Sequence, residues 1–190
     1  MSWSNSQSDF DAFIEALAPK PGEKILDVGA GEGRVARKVR EASGCELYAL
    51  EPDHRRVQKA RRESSAVHSE VGAAESIPFG AGFFDKSYST MALHHFADQE
   101  AGVREVARVT RPGGLFVVLD VEPGTGRGRM FRFLENFVMR RKMRFLRQVE
   151  AVEVLEAQGD FKAVRKTSLG GAFLLVAERA AGPSTSSSGG

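Results

Sequence analysis

The sequence holds a single cysteine, Cys45, in 190 residues. No internal disulfide is available to it, and a reducing compartment is the expected setting. Cys45 itself reads as a small hydrophobe entering a strand. Long apolar runs are also missing. The longest, Leu115 to Leu119, is far too short to cross a bilayer. The opening stretch, Met1 to Asp9, is polar and lacks the basic-then-apolar layout of a secretory signal. Together these absences predict a cytoplasmic protein. Charge of one sign is scarcely in excess, since 27 Lys and Arg face 25 Asp and Glu, a net +2. That is too mild to mark a nucleic-acid binder by itself. No cluster of Cys, His, Asp and Glu has metal-ligand spacing, and adjacent His94 and His95 point different ways, so no metal site is expected. No internal repeat is present.

What is there is a globular composition, 42% apolar and 27% charged. The length suits one domain with a proper core. We read residues 1–181 as that domain, and Gly182 to Gly190 as a low-complexity disordered tail or expression remnant.

The most informative stretch runs from Glu23 to Arg34. A short β-compatible run, Lys24 to Val28, carries Asp27 near its end. Glycines then follow at alternate positions, Gly29, Gly31 and Gly33, before a helical pattern opens at Val35. Strand, tight turn and helix are the expected result. Glycine allows positive φ and lets a ligand lie against the main chain. The first turn of the helix offers unpaired N–H donors to a polar ligand. The dinucleotide fingerprint wants glycine at positions one, three and six. Here the third glycine comes one residue early, and Arg34 stands where the fingerprint has Gly. A second strand, Glu46 to Leu50, ends at Glu51-Pro52-Asp53, some 20 residues past the turn. A carboxylate there can accept both hydroxyls of a ribose.

Further on, Ser8 or Asp9 is expected to cap a helix with Phe10, Phe13, Ile14 and Leu17 on one face. Val35, Val39 and Ala42 mark the inward stripe of the helix after the glycine turn. His54 to Ser64 reads as a basic helix, Val67 to Val71 as strand three and Phe84 to Thr90 as strand four. Strand four is too polar for a strand buried on both faces. Its Lys86 either pairs with a neighbouring carboxylate or faces solvent. Asp98 is expected to cap a helix from Gln99 to Val109, and Leu115 to Asp120 is a fully buried strand five. Beyond Gly124 to Gly128, residues 127–147 carry eight cations and one acid, a local charge of +7. A Met, Phe and Leu stripe recurs there at helical spacing. The segment 124–148 is read as a basic helical lid or insert, or plainly as a helix with a solvated cationic face. Gln148 to Gln158 is a further helix, and Phe161 to Thr167 with Ala172 to Ala177 form a terminal hairpin.

Three pieces carry a family resemblance: Asp27-Val28-Gly29-Ala30-Gly31-Glu32-Gly33; Gly72-Ala73-Ala74-Glu75-Ser76-Ile77-Pro78-Phe79; and Arg108-Val109-Thr110-Arg111-Pro112-Gly113-Gly114. The chain resembles the class I S-adenosylmethionine-dependent methyltransferases, in particular the small type 11-like group that includes quinone-biosynthesis enzymes. The likeness covers Ile25 to Val121. It implies an α/β fold, a doubly wound, Rossmann-like seven-stranded sheet, mostly parallel with an antiparallel C-terminal hairpin strand. It implies S-adenosylmethionine as cofactor and S-adenosylhomocysteine as product. By the same resemblance Asp27 orients the amino end of the methionine moiety. Gly29, Ala30, Gly31 and Gly33 form the turn it lies along, and Glu51 with Pro52 sits at the ribose. Ala73, Ala74 and Glu75 flank adenine, and Met91 and Ala92 stand near the sulfonium. One departure is Ala73, where the family carries the aspartate that meets the adenine amino group.

His94 and His95 are the candidate catalytic bases, needed only if the acceptor keeps its proton at neutral pH. A small-molecule acceptor, anionic or lipid-like, is the expected partner, with peripheral membrane contact through 127–147 as a further reading. Nucleic acid is not expected, because no stacking-aromatic surface accompanies the charge. The competing readings are a non-catalytic S-adenosylmethionine-binding module that holds a partner through its basic helix, and an NAD(P)-linked oxidoreductase.

Overall fold

The computed structural model describes residues 7–126, 128–129, 143–157 and 160–181. Seven strands form one sheet: β1 (Lys24–Val28), β2 (Glu46–Glu51), β3 (Val67–Val71), β4 (Phe84–Thr90), β5 (Thr110–Val121), β6 (Phe161–Ser168) and β7 (Ala172–Arg179). Their order across the sheet is β3-β2-β1-β4-β5-β7-β6. The first five strands pair in parallel. β7 runs antiparallel to both its neighbours, β5 and β6. The strand order therefore reverses between β1 and β4, the crevice where open α/β sheets collect ligands at their C-terminal edge.

Among the described residues, five α-helices cover the sheet: α1 (Gln7–Leu17), α2 (Arg34–Ser43), α3 (His54–Glu63), α4 (Gln99–Val109) and α5 (Gln148–Glu156). The core divides by face. Ile25, Leu47, Tyr88, Val117 and Leu119 pack with Phe13 and Leu17 of α1 and Ala36 and Val39 of α2. Leu26, Val28, Phe116 and Val118 pack with Val103 and Val106 of α4 and Ala151 and Leu155 of α5. Alternate residues of β1 and β5 serve opposite faces, as the two-residue strand period requires.

Several boundaries differ from expectation. α1 is already under way at Gln7, so Ser8 and Asp9 lie in its first described turn and not at a cap. α2 turns Ala36 and Val39 inward and leaves Ala42 exposed. Its start is set by the left-handed Gly33, and Ala36 and Val39 are both fully enclosed against the sheet. Strand β5 begins at Thr110, five residues before its apolar run. Phe84 pairs with Thr110 and Lys86 with Leu115, so Arg111 to Gly114 bulge out between the two pairings. Arg111 closes that bulge by an ion pair to Asp85 at 2.9 Å. A Cβ on Gly114 would meet the Asp85 carbonyl at 2.5 Å, which is why glycine stands there. The Arg-Pro-Gly-Gly run is thus an architectural piece at the N-terminal edge of the sheet, opposite the ligand edge.

The polar strand four does sit in the middle of the sheet. Lys86 is only 8% exposed. Its Nζ donates to Glu23 Oε2 at 2.9 Å and to the Ala18 carbonyl at 2.7 Å. Ala18 terminates α1 at φ 41°, so the lysine latches the end of that helix to the strand below it. Ser87 and Thr110 share a hydrogen bond at 2.7 Å. Removing one member of a largely buried ion pair leaves the other uncompensated. Lys86→Ala should therefore lower stability in urea unfolding by roughly 2–4 kcal/mol, more than Glu23→Gln, with the denaturant slope unchanged.

Candidate functional site

β1 delivers Asp27 and Val28 to the C-terminal edge, and the chain then turns through Gly29 (φ 83°), Gly31 (φ 58°) and Gly33 (φ 72°) into α2. Gly29 and Ala30 both donate N–H to the Leu50 carbonyl of β2, at 2.8 and 3.0 Å. Gly33 N–H returns to the Ala30 carbonyl at 2.9 Å. A Cβ on Gly29 would fall 2.4 Å from the Ala92 Cβ, whereas one on Gly31 would meet nothing within 4 Å. Gly29 is thus fixed by close packing, and Gly31 by conformation on an open face. Glu51, 6% exposed, bonds main chain with both oxygens. Oε2 accepts the Gly31 N–H at 2.9 Å and Oε1 the Asp53 N–H at 3.1 Å. It joins the glycine turn to the loop that carries exposed Pro52 and caps α3 through Asp53. Each carboxylate oxygen keeps a further lone pair for a ligand hydroxyl.

Asp27 is 1% exposed, and neither oxygen has a hydrogen-bond partner among the described residues. It lies opposite Ala49 of β2 and Tyr88 of β4. Burial pushes its carboxyl up to about 7 from an ordinary 3.8. The Tyr88 hydroxyl pulls it down and the Glu51 carboxylate pushes it up further. That hydroxyl is near enough to act on the carboxyl but is not placed to close a hydrogen bond, so desolvation dominates. A carboxyl left bare under a glycine turn suits the cationic end of a ligand.

On the other flank, Ala73 is exposed, Ala74 is buried and Glu75 is half-buried. Glu75 Oε1 accepts the Asp98 N–H at 3.0 Å, so part of this side chain serves the start of α4. Sequence reasoning missed how this loop is held. Arg108 of α4 donates to the Phe79 carbonyl at 2.8 Å and the Ile77 carbonyl at 2.9 Å. Glu105, paired with Arg108 at 2.7 Å, accepts the Ile77 N–H at 3.0 Å. The i, i+3 spacing of Glu105 and Arg108 on one helix face was the available signal.

Past β4 the chain bends sharply at Met91, a non-glycine residue at φ 54° whose N–H donates to the Leu119 carbonyl at 2.7 Å. Ala92 follows, 5% exposed, against Gly29. The two histidines then part company. His94 is 3% exposed, with Nδ1 2.6 Å from Asp120 Oδ1 and its main-chain N–H on Oδ2 at 3.1 Å. Phe145 stacks on its ring at 4.5 Å. His95 is exposed, its ring 4.1 Å from that of His94. Asp120 was also missed, although an acid closing an apolar strand at the ligand edge marks it. Gln99 links the same loop to the chain entering α5, donating to the Leu93 and Arg144 carbonyls at 3.2 and 2.8 Å.

Trp3, the tail from Gly182 and most of the basic segment lie outside the described residues. Of its eight cations, Arg129, Arg144 and Arg147 are described, and Arg147 pairs with Glu150 at 3.1 Å. A separate cleft opens by the C-terminal ends of β5 and β6, lined by Glu122, Arg147, Gln148, Val152 and Lys166. None of these is a predicted site residue. No helix among the described residues is long and apolar enough to cross a membrane. No group of three metal-ligating side chains occurs among them either.

Residues 26–118 match a family model described as a methyltransferase domain. About half of the chain is thus similar to a methyltransferase domain. The chain is 35% identical over 109 residues to a malonyl-[acyl-carrier protein] O-methyltransferase of Salmonella typhimurium, covering 57% of this chain and 43% of that protein. It is 34% identical over 113 residues to a demethylmenaquinone methyltransferase of Mycolicibacterium vanbaalenii, covering 60% and 48%. The chain therefore spans less than half the length of either relative. Among solved structures, a geranyl diphosphate methyltransferase in complex with S-adenosylmethionine superimposes with a TM-score of 0.77 at 16% identity, covering 90% of this chain and 84% of that one. That likeness concerns the fold. The comparisons lend no support to the oxidoreductase or non-catalytic readings.

Two tests follow from this geometry. Gly29→Ala combines a left-handed φ with a 2.4 Å overlap and should cost well over ~2 kcal/mol, whereas Gly31→Ala should cost only the ~1–2 kcal/mol conformational term. Thermal unfolding compares them directly. The Asp27 carboxyl, near 7 folded and near 3.8 when exposed, binds more protons in the folded state between those limits. Stability of the ligand-free protein should therefore fall as pH rises from about 4 to about 7, by up to ~4 kcal/mol from this group. Asp27→Asn should flatten that fall, as urea titrations at pH 5 and 8 would show.

Proposed function

We propose that the chain is an S-adenosylmethionine-dependent methyltransferase, one domain through residue 181, acting in a reducing, cytoplasmic setting on a small anionic or lipid-like acceptor. The observation that carries the reading is the pairing of bare, buried Asp27 with an open glycine turn tied to Glu51. The residues present fit the cofactor. Asp27 would receive its ammonium end, directly or through water, with Gly29 to Gly33 along the methionine moiety. Glu51, with Pro52 beside it, would hold the ribose. Ala73, Ala74 and Glu75 would flank adenine, and Met91 and Ala92 the sulfonium. With Ala73 in place of an aspartate, adenine relies on main chain and apolar contact, and on Glu75 where its second oxygen reaches.

The cofactor supplies an electrophilic methyl on a positively charged sulfur. The protein's share is alignment and the exclusion of water, which can remove roughly 7–11 kcal/mol of barrier. The Gly29–Ala92 contact sets the two loops that line this path against each other. His94, clasped by Asp120 and Phe145, orders the loop; His95 faces outward and is the base if the acceptor arrives protonated. The cations of the segment 124–148 would attract an anionic molecule or membrane surface. The lone thiol agrees with a reducing compartment, being 1% exposed.

Calorimetry with S-adenosylhomocysteine tests the reading. Wild type should bind, Glu51→Ala should bind about 1–3 kcal/mol more weakly through lost charge-assisted hydrogen bonds, and His95→Ala should bind as wild type does. Equal affinity in wild type and Glu51→Ala would remove Glu51 from the site.

A further inference from the structure

Resting on the reading just given, we infer that Asp27 is a selectivity residue that stands protonated in the ligand-free protein and surrenders its proton to solvent when a ligand bearing an ammonium group enters the glycine turn. Binding of the cofactor is then an exchange of one positive charge for another beneath Gly29 to Gly31.

The geometry makes the argument. Asp27 has both oxygens enclosed and without hydrogen-bond partners among the described residues. An ionised carboxylate so placed pays its desolvation with only the nearby Tyr88 hydroxyl to offset it, whereas the neutral acid pays little. Among the described residues, the groups around it offer no compensating cation. From β2 comes another carboxylate, Glu51, already committed to main-chain N–H groups of the turn. From β4 comes the Tyr88 hydroxyl, whose own ionisation burial pushes well above the usual phenol range, with Asp27 and then Cys45 adding to the shift. Lys86, two residues back along that strand, is engaged with Glu23 and the Ala18 carbonyl. Burial likewise pushes the Cys45 thiol up. On the same face α1 contributes Phe13, Leu17 and a buried acid, Asp9, and α2 contributes Ala36 and Val39 with no buried charge. Asp27 is therefore the group in this cluster that changes charge near neutrality, in keeping with its carboxyl at about 7.

An entering ammonium reverses the balance. It supplies the opposite charge that the carboxylate lacks, the O–H bond of Asp27 breaks, and the proton passes to the buffer. A ligand without that group brings no such charge and leaves the acid neutral. The turn then selects for a nucleoside with a cationic tail over one without it, by charge and not by shape.

The experiment is calorimetry on the full chain in buffers of differing ionisation enthalpy. Two ligands are compared: S-adenosylhomocysteine, which carries the ammonium, and 5′-methylthioadenosine, which does not. With S-adenosylhomocysteine most of a proton should be released on the acid side of neutrality, and the release should fall away as pH rises through about 7. Affinity should tighten about tenfold from pH 6 to pH 8. Methylthioadenosine should bind with no proton release and no such pH dependence. In Asp27→Asn the release should vanish, while Tyr88→Phe should keep it; the difference between wild type and Asp27→Asn removes any proton the ligand itself exchanges. Tight binding of S-adenosylhomocysteine without proton release at pH 6 would overturn the inference and leave the cofactor reading standing. Equal release with both ligands would overturn it as well. Absence of binding by either ligand would overturn the cofactor reading, and this inference with it.

Discussion

The contact between Gly29 and Ala92 is the constraint on which the ligand edge depends. One residue opens the turn after β1, the other the loop after β4, and no side chain larger than hydrogen fits at the first. The two loops flank the point where the strand order reverses, so their separation fixes the width of the crevice between them. Everything around the contact preserves it. Leu50 accepts two N–H groups from the turn, Glu51 takes a third, and Met91 accepts a left-handed backbone conformation to bring Ala92 inward. A non-glycine residue held there costs energy that the surrounding hydrogen bonds must offset. The position of that strain, beside the turn, agrees with a crevice shaped for a ligand.

Much of this arrangement could be read from local pattern. Strand three at Val67 to Val71, strand four at Phe84 to Thr90, and the helix from Gln99 to Val109 behind Asp98 are elements whose limits the structure reproduces. Their signals are local, set by side-chain period and capping. The glycine turn and Glu51 were legible for the same reason, since spacing along one strand–turn–helix unit determines where they meet. The inward stripe of α2 was misjudged because its phase is set by Gly33 and by how closely Ala36 approaches the sheet, and neither is a matter of periodicity alone.

What could not be read depends on residues far apart in the chain. Asp120 meets His94 across 26 positions, and Arg108 reaches Phe79 across 29. Nothing in either neighbourhood announces its partner. Lys86 shows the intermediate case, in which the oddity was visible and its resolution was not. A lysine in a central strand calls for a carboxylate, and only the fold reveals that Glu23 and the end of α1 supply the answer. Asp27 is the reverse. Its place in the motif was plain, but its lack of a bonding partner among the described residues emerges only when three strands enclose it.

Arg108 grips the main chain of the loop at residues 77 and 79 and touches none of that loop's side chains in doing so. The path of the loop is thereby uncoupled from the identity of what it displays. Ala73 is exposed and takes no part in the bonds from Glu105 and Arg108 that hold residues 77 and 79. Such an anchor leaves the outward side chains of the loop open to substitution one at a time, on a support fixed through its main chain.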